Sequence, residues 1–468
     1  MNLYSKTISI MSKPGSSALA FLFMGAFWFF IGTVYGMISA TDLVGPEILG
    51  SVSWLAHGRV RPAHTDTMLF GFVTTTFWGC ALYILPAILR RTLWSEGLGW
   101  LSCILWNVTI LSGPICFGLG ISQGREYAEY IYIFDWSLVL AVVLLVVNFA
   151  MTILKRKSDS LYVSVWYFMG TALWLSCFYF IGNVMWSPPS GAMAGLIDSI
   201  ILWFYGHALP GLLLTPLAVG AAYYVIPRIV REPLHSHTVS LIGFWTLIVF
   251  YTHIGGHHIP QAPIPNWLKV VSTVHSMAMV IPVFVVLINW WLTARGHGGR
   301  LLADPGGRFV VAGSVWYILT CIQGPLQSLP MLQRVTHFNN WTVGHTHIAV
   351  FGFSGYIALG TMWYILPLIL KKELFSKFLV NLQFGLVTLG LVGFFFDLTI
   401  AGLIQGSSWN NGMLVYRVLP EIMPEMIVRA GFGVFIFTGA IIGLANFIYT
   451  IKYGRKLSPE EYEERLHP

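Results

Sequence analysis

Charge is what this sequence has least of. Asp, Glu, Lys and Arg make up 10% of its 468 residues, against roughly 25% in an ordinary soluble domain. With 56% hydrophobic residues and a mean hydropathy of +0.71, that deficit excludes a water-soluble globule. Cysteine is also scarce. The five (Cys80, Cys103, Cys116, Cys177, Cys321) form no C-x-x-C or C-x-x-C-H pattern, which excludes covalent haem c and a thiolate copper centre. All fall inside apolar runs and read as small core residues. Low-complexity segments, a clear internal repeat and a soluble domain between the runs are lacking as well.

What the chain has is apolar length. A helix needs about 20 residues to cross a bilayer, and about twelve such runs succeed one another with short connections. They lie near Ser17–Ile38, Thr67–Leu89, Leu98–Ile121, Ile131–Ile153, Val163–Trp186 and Leu196–Ile226. Six more lie near Val239–Ile259, Trp267–Leu292, Phe309–Leu329, Thr342–Leu370, Leu379–Ile404 and Glu425–Tyr453. The expected fold is an all-α bundle in lipid, one polytopic membrane domain over residues 1–468. The first run comes after Lys6 and Lys13, lacks a cleavage site and reads as a retained helix. The formal net charge of +7 points to topology rather than to nucleic acid. Arg90, Arg91, Lys155, Arg156, Lys157, Lys371 and Lys372 fall on one side of the alternation, and the positive-inside rule puts both termini in the cytoplasm. The tail KLSPEEYEERLHP reads as a solvated end.

The 14 histidines are informative by depth. His64 begins the second run, His207 lies about three turns into the sixth, His257 and His258 end the seventh, and His345 and His347 open the tenth. All six fall in the outer half. A lone interfacial histidine is ordinarily a hydrogen-bonded side chain. Six at one depth on four helices are another matter, because ionisable groups within spans are costly and functional and imidazole is the common ligand of copper and haem iron. In WTVGHTH, His345 and His347 stand about 200° apart around a helix and point to opposite sides. The tenth helix is therefore expected to separate two metal centres. His257 and His258, with Pro260 just beyond them, can converge on one ion with His207 as third ligand. Tyr251, seven residues before His258, is expected on nearly the same face, two turns deeper. There it packs, or, near a redox metal, supplies an electron and a proton.

The motifs RPAHT (61–65), YGHALPGLLLT (205–215), YTHIGGHH (251–258) and THFNNWTVGHTH (336–347) together resemble the catalytic subunit of the haem-copper oxidase superfamily. The resemblance is to its C family, the cbb-type cytochrome c oxidases, and extends over all the runs. It implies that His64 and His347 are the axial ligands of a low-spin haem b and His345 the proximal ligand of a high-spin haem b. It gives copper to His207, His257 and His258, and makes Tyr251 the active-site tyrosine, linked covalently to His207. It further implies reduction of dioxygen to water, c-type cytochrome subunits as partners, cytochrome c as donor, proton pumping and a bacterial inner membrane. Tyr223, Ser240 and Thr215 match positions of a proton path, although hydroxyls in membrane helices commonly bond backbone carbonyls. Arg59, Arg61 and His337 lie beside ligand histidines and are expected to pair with haem propionates. GREYAEY, with Glu126 and Glu129, resembles a segment contributing to a calcium site; its plain reading is an exposed charged loop. Trp203 and Trp341 read as packing residues.

Two positions depart from the family pattern. Gln323, in IQGPLQS, stands where a glutamate is usual, and Ala208 where an asparagine is common. The nearest rival is a nitric oxide reductase of the same superfamily, with non-haem iron and a nearby glutamate ligand. No glutamate occurs in the middle of the sixth or seventh run, and Tyr251 is present. A membrane cytochrome b would leave His257 and His258 without a role, and a transporter would be expected to place its polar groups at the midplane.

Overall fold

The computed structural model describes residues 9, 11–185 and 195–466; Lys6 and the end of the fifth run at Trp186 lie outside them. Among the described residues the only strand-like feature is an isolated bridge between Lys372 and Lys456. Among the described residues, eleven helices are long and apolar enough to cross a membrane. They are α1 (Ser16–Val44), α2 (His57–Ile88), α3 (Glu96–Gly118), α4 (Tyr132–Leu154), α5 (Val163–Val184), α6 (Gly195–Val230), α8 (Asn266–Thr293), α9 (Pro305–Gln327), α10 (Asn340–Leu370), α11 (Lys377–Asn410) and α12 (Val415–Tyr453). The shorter apolar helix α7 (His237–Tyr251) completes the series.

Two helix ends differ from expectation where ligand histidines sit. The apolar part of the second run begins at Thr67, but the helix begins at His57, because HGRVRPAHTD continues the α geometry despite its polarity. His64 therefore stands two turns inside α2 instead of at its start. In the seventh run the α-helix stops at Tyr251, and His257 and His258 lie on a separate 3-10 turn, Ile254–His258. Tyr251 and His258 thus do not share one helix face. Gly255 explains part of the turn: a Cβ there would collide with the Trp203 carbonyl on α6.

No clear repeat is visible in the sequence, but the structure repeats one helix junction. Helices α2, α6 and α10 all carry Tyr-x-x-Pro in their last turns (Tyr83–Pro86, Tyr224–Pro227, Tyr364–Pro367) and end on a basic residue in the left-handed region: Arg90 (φ 53°), Arg231 (φ 61°) and Lys371 (φ 52°). Beyond each comes a serine N-cap (Ser95, Ser236, Ser376) on the next helix. That serine's backbone is clamped on both sides by a buried asparagine two helices on. Asn148 bonds Ser95 N–H and C=O at 3.1 and 2.8 Å, Asn289 bonds Ser236 at 3.0 and 2.8 Å, and Asn446 bonds Ser376 at 3.2 and 3.0 Å. Thr152, Thr293 and Thr450, one turn further, accept the preceding N–H. One junction therefore recurs three times along the chain, and it is hidden in the sequence because so few residues carry it. Their spacing also changes, from 53 residues in the first two units to 70 in the third.

Asn446→Ala strands the Ser376 N–H and carbonyl, at about 1–3 kcal/mol for each buried unpaired group. Thermal unfolding of the complex should therefore begin at lower temperature, with the haem spectra of the folded protein unchanged. An unaltered melting curve would show that the clamp carries no load.

The helices that bear the candidate ligands share a second device. Immediately after His64, His207 and His347 the α-helix widens into π geometry: Thr67–Thr74, Leu209–Leu214 and Ile348–Gly355. Such turns shift the register of the helix beyond them and recur at functional sites. Threonine hydroxyls satisfy the displaced carbonyls, Thr74 to Leu69 and Thr75 to Phe70 in α2 and Thr215 to Pro210 in α6, each at 2.8 Å.

Candidate functional site

The structure brings His207, His257 and His258 into one cluster. Their ligand nitrogens lie within 4.8 Å of one another, and among the described residues no other group of three or more His, Cys, Asp or Glu has metal-ligand spacing. His207 Nδ1 faces His258 Nε2 at 2.6 Å. Two ring nitrogens that close need a shared proton or a shared cation, so the pair fits a metal. His257 is oriented from behind. Ser276 Oγ donates to the Ser272 carbonyl at 2.7 Å and lies 2.7 Å from His257 Nδ1; with its own proton committed, it must accept from Nδ1–H, which leaves Nε2 free. Gln333 Nε2 holds the His257 carbonyl at 2.8 Å, and Trp203 stacks on His258 at 4.1 Å and 12°. Tyr251 closes the inner side, its ring 5.0 Å from that of His207 and within 16° of parallel. Room for that ring comes from Gly211, where a Cβ would overlap it.

The second pair is His64 and His347. Their ring centroids are 6.4 Å apart at an interplanar angle of 20°. Two metal–nitrogen bonds of about 2 Å, plus about 1 Å from each nitrogen to its ring centre, add up to nearly that distance. His64 Nδ1 lies 2.8 Å from the Gly32 carbonyl, and His347 Nδ1 2.8 Å from the Val343 carbonyl. A carbonyl only accepts, so both rings carry their proton on Nδ1 and present an unprotonated Nε2. Gly36 leaves space against the His64 ring, where a Cβ would come 2.9 Å from Cε1. Two facing Nε2 ligands with fixed tautomers are what a six-coordinate haem iron requires.

His345 points away from His347. Its ring is stacked with Trp341 (5.7 Å, 12°), its Nδ1 lies 3.2 Å from Gln323 Oε1, and it is within electrostatic reach of His207, His257 and His258. His345 and His347 thus meet different neighbours, on opposite sides of α10. Gln323, read from sequence only as a departure, is the partner that holds the His345 ring. Trp203 and Trp341, read from sequence as packing or interfacial residues, stack on His258 and His345.

At the end of the bundle that carries the histidines, the expected partners rearrange. Arg59 donates one hydrogen bond, to the Gly118 carbonyl at the end of α3, at 2.8 Å. Arg61 pairs with Glu126 at 2.5 Å, which ties one expected propionate partner to one expected calcium ligand. Glu129 is buried, and burial, reinforced by the neighbouring Glu126 carboxylate, pushes its pKa up to about 8. His337 stacks on Phe338 at 3.8 Å, with a buried Nδ1 lacking a partner. Sequence reasoning missed Arg429. It is 9% exposed on α12, lies 5.7 Å over Phe394, and has Asp397 within electrostatic reach. Phe394 in turn packs on His347 at 4.6 Å. A buried arginine on a helix of hydropathy 2.0 was the available signal.

The expected proton-path residues divide. Thr215 is committed to its π turn, and Ser240 Oγ donates to the His237 carbonyl at 2.6 Å. Tyr223 is different: its hydroxyl accepts from Asn289 Nδ2 at 3.4 Å, and its ring sits 5.8 Å from Trp290, which is 6.1 Å from Tyr317. Tyr317 and Cys321, one turn apart on α9, reach the Tyr251 environment. Tyr167 Oη and Thr320 Oγ1 are buried there without partners.

Comparison with known proteins agrees with this geometry. The family described as "Cytochrome C and Quinol oxidase polypeptide I" matches residues 16–435. The "Cytochrome c oxidase subunit 1 homolog, bacteroid" of Bradyrhizobium diazoefficiens is 30% identical over 446 residues, 92% of this chain and 81% of that protein. The "Cbb3-type cytochrome c oxidase subunit CcoN1" of Stutzerimonas stutzeri is 28% identical, over 95% of each chain. A heme-copper terminal oxidase dimer solved by cryo-EM has the same fold, with a TM-score of 0.79 at 16% identity, covering 94% of this chain and 84% of that one. The chain is a multi-pass membrane protein that belongs to the haem-copper oxidase subunit I family.

Proposed function

We propose that this protein is the catalytic subunit of a bacterial inner-membrane oxidase that reduces dioxygen to water with electrons from c-type cytochromes. The observation that carries the reading is the three-histidine cluster with the Tyr251 ring laid against His207. In this reading His64 and His347 would hold a low-spin haem b, which would supply electron transfer. His345 would hold a high-spin haem b, and His207, His257 and His258 would hold copper. When bound, the high-spin iron and the copper supply the sites and part of the electrons for splitting dioxygen. The protein's own contribution is positional and protonic. Ser276 and Gln333 fix the face that His257 presents, Trp203 fixes His258, and Tyr251 offers an electron and a proton beside His207. Tyr223, Trp290, Tyr317 and Cys321 form a column ending at Tyr251, and the unpartnered Tyr167 and Thr320 hydroxyls beside it support a hydrated route for protons. The positive-inside distribution supports cytoplasmic termini, with the candidate ligands toward the opposite face. Proton uptake from the cytoplasm, and pumping, accord with that orientation.

The test is turnover by the purified complex with reduced cytochrome c. Dioxygen consumption, lost in Tyr251→Phe, is the expected result; nitric oxide consumption without dioxygen uptake would overturn the reading.

Gln323→Glu gives a second expected outcome. A carboxylate accepts the His345 Nδ1–H more strongly than an amide, which makes the imidazole a stronger donor to its iron. The midpoint potential of the high-spin haem should fall by on the order of 60 mV, a tenfold change for one electron. Spectroelectrochemical titration reads it directly, and an unshifted potential would show that residue 323 does not control His345.

A further inference from the structure

His253 and His275 have no part in the sites above, yet His253 comes four residues before His257, and His275 directly precedes Ser276, which holds His257. Their ring centroids are 5.2 Å apart with planes at 81°. His253 lies between Tyr251 and His257 on the short segment after α7; it is exposed, and Thr252 Oγ1 sits 2.9 Å from its Nδ1. His275, on α8, is partly buried against Phe250 (5.7 Å), and its Nδ1 is buried without any partner. The next residue after His275 is Ser276, whose hydroxyl holds His257. One turn of α8 therefore carries both a surface imidazole and the support of a cluster ligand.

A cluster as enclosed as His207, His257 and His258 has to be loaded from somewhere. A bare cation does not enter an apolar bundle, because burying an unpaired charge costs far more than the protein can supply. It can move by ligand exchange between neutral donors. Imidazole is a donor that suits copper, and this corner presents two of them with ring centroids 5.2 Å apart. We propose that His253 and His275 form a second, surface copper site that receives Cu(I) and passes it by ligand exchange to the cluster. The transfer leaves the oxidation state unchanged and requires no co-reactant. This inference rests on the reading of the cluster as a copper centre.

The experiment uses the whole complex, purified after growth without copper and reloaded anaerobically with Cu(I) from a competing chelator. Copper and haem are counted per complex over time. In wild-type protein at limiting free Cu(I) the cluster should fill quickly, and the copper-replete complex should hold one further, weakly bound Cu(I). In His253→Asn and His275→Asn, loading at limiting copper should slow by about tenfold or more, the usual loss when a metal's supporting groups are removed, and the extra Cu(I) should vanish. At excess copper both variants should still reach the wild-type cluster occupancy, with an unchanged low-spin haem spectrum reporting the fold. Equal loading rates in variants and wild type, with no extra Cu(I), would overturn the transfer site. Failure of every protein, wild type included, to take up copper at excess would instead remove the copper reading of the cluster.

Discussion

Replacing His258 by alanine should abolish dioxygen reduction while leaving both haem environments intact. His258 supplies the nitrogen that faces His207 Nδ1 at 2.6 Å, and no other residue of the cluster can reach that position. Trp203, stacked on the His258 ring at 4.1 Å, offers only an indole face. Copper content should drop to background. Turnover should fall by more than about 100-fold, since losing even an outer partner of a metal ligand costs roughly 10–100-fold. His64 and His347 face each other on the other side of α10, so the spectrum of a bis-histidine haem should persist. Metal analysis beside optical spectra checks both halves, and retained turnover would show that the cluster is not the reaction centre.

Gly211→Ala should be nearly as damaging, although residue 211 ligates nothing. It sits in the π turn Leu209–Leu214 of α6, and a methyl there would occupy the space of the Tyr251 ring. Tyr251 cannot retreat cheaply. It is the last residue of α7, and the next turn is held by Gly255 against the Trp203 carbonyl. The tyrosine must leave its place beside His207. Loss of a positioned proton donor costs about 100-fold or more, so turnover in Gly211→Ala should approach that of Tyr251→Phe, with copper retained. Gly385→Ala, where a methyl meets nothing, is the control and should be silent. Normal turnover in Gly211→Ala would mean that Tyr251 is not needed where it stands.

Much of this architecture is legible in the residues, for identifiable reasons. Hydropathy located the twelve helices because lipid demands long apolar stretches, and helical geometry alone separated His345 from His347. The ends were less legible. Polar residues such as Arg59 and Arg61 continue α2 beyond its apolar part, and hydropathy does not register them. The break after Tyr251 comes from backbone contact at Gly255, which only the assembled bundle reveals. The π turns after His64, His207 and His347 leave no mark in composition. The recurring junction is carried by a handful of clamps such as Ser95 with Asn148, too few to be seen without the fold. Arg61 and Glu126 were each expected beside an external group; that they also pair with one another depends on how two loops meet, which the sequence does not show. Gln323 was visible as an exception, but its purpose became visible only with His345 Nδ1 beside it.

The central claim is that this chain holds a haem and copper centre next to a separate bis-histidine haem. Counting haem b, copper and non-haem iron per purified complex tests it most directly. The account predicts two haems b and one copper for each copy of this chain. Two haems b with an additional non-haem iron and no copper would contradict it and turn the assignment toward nitric oxide reduction.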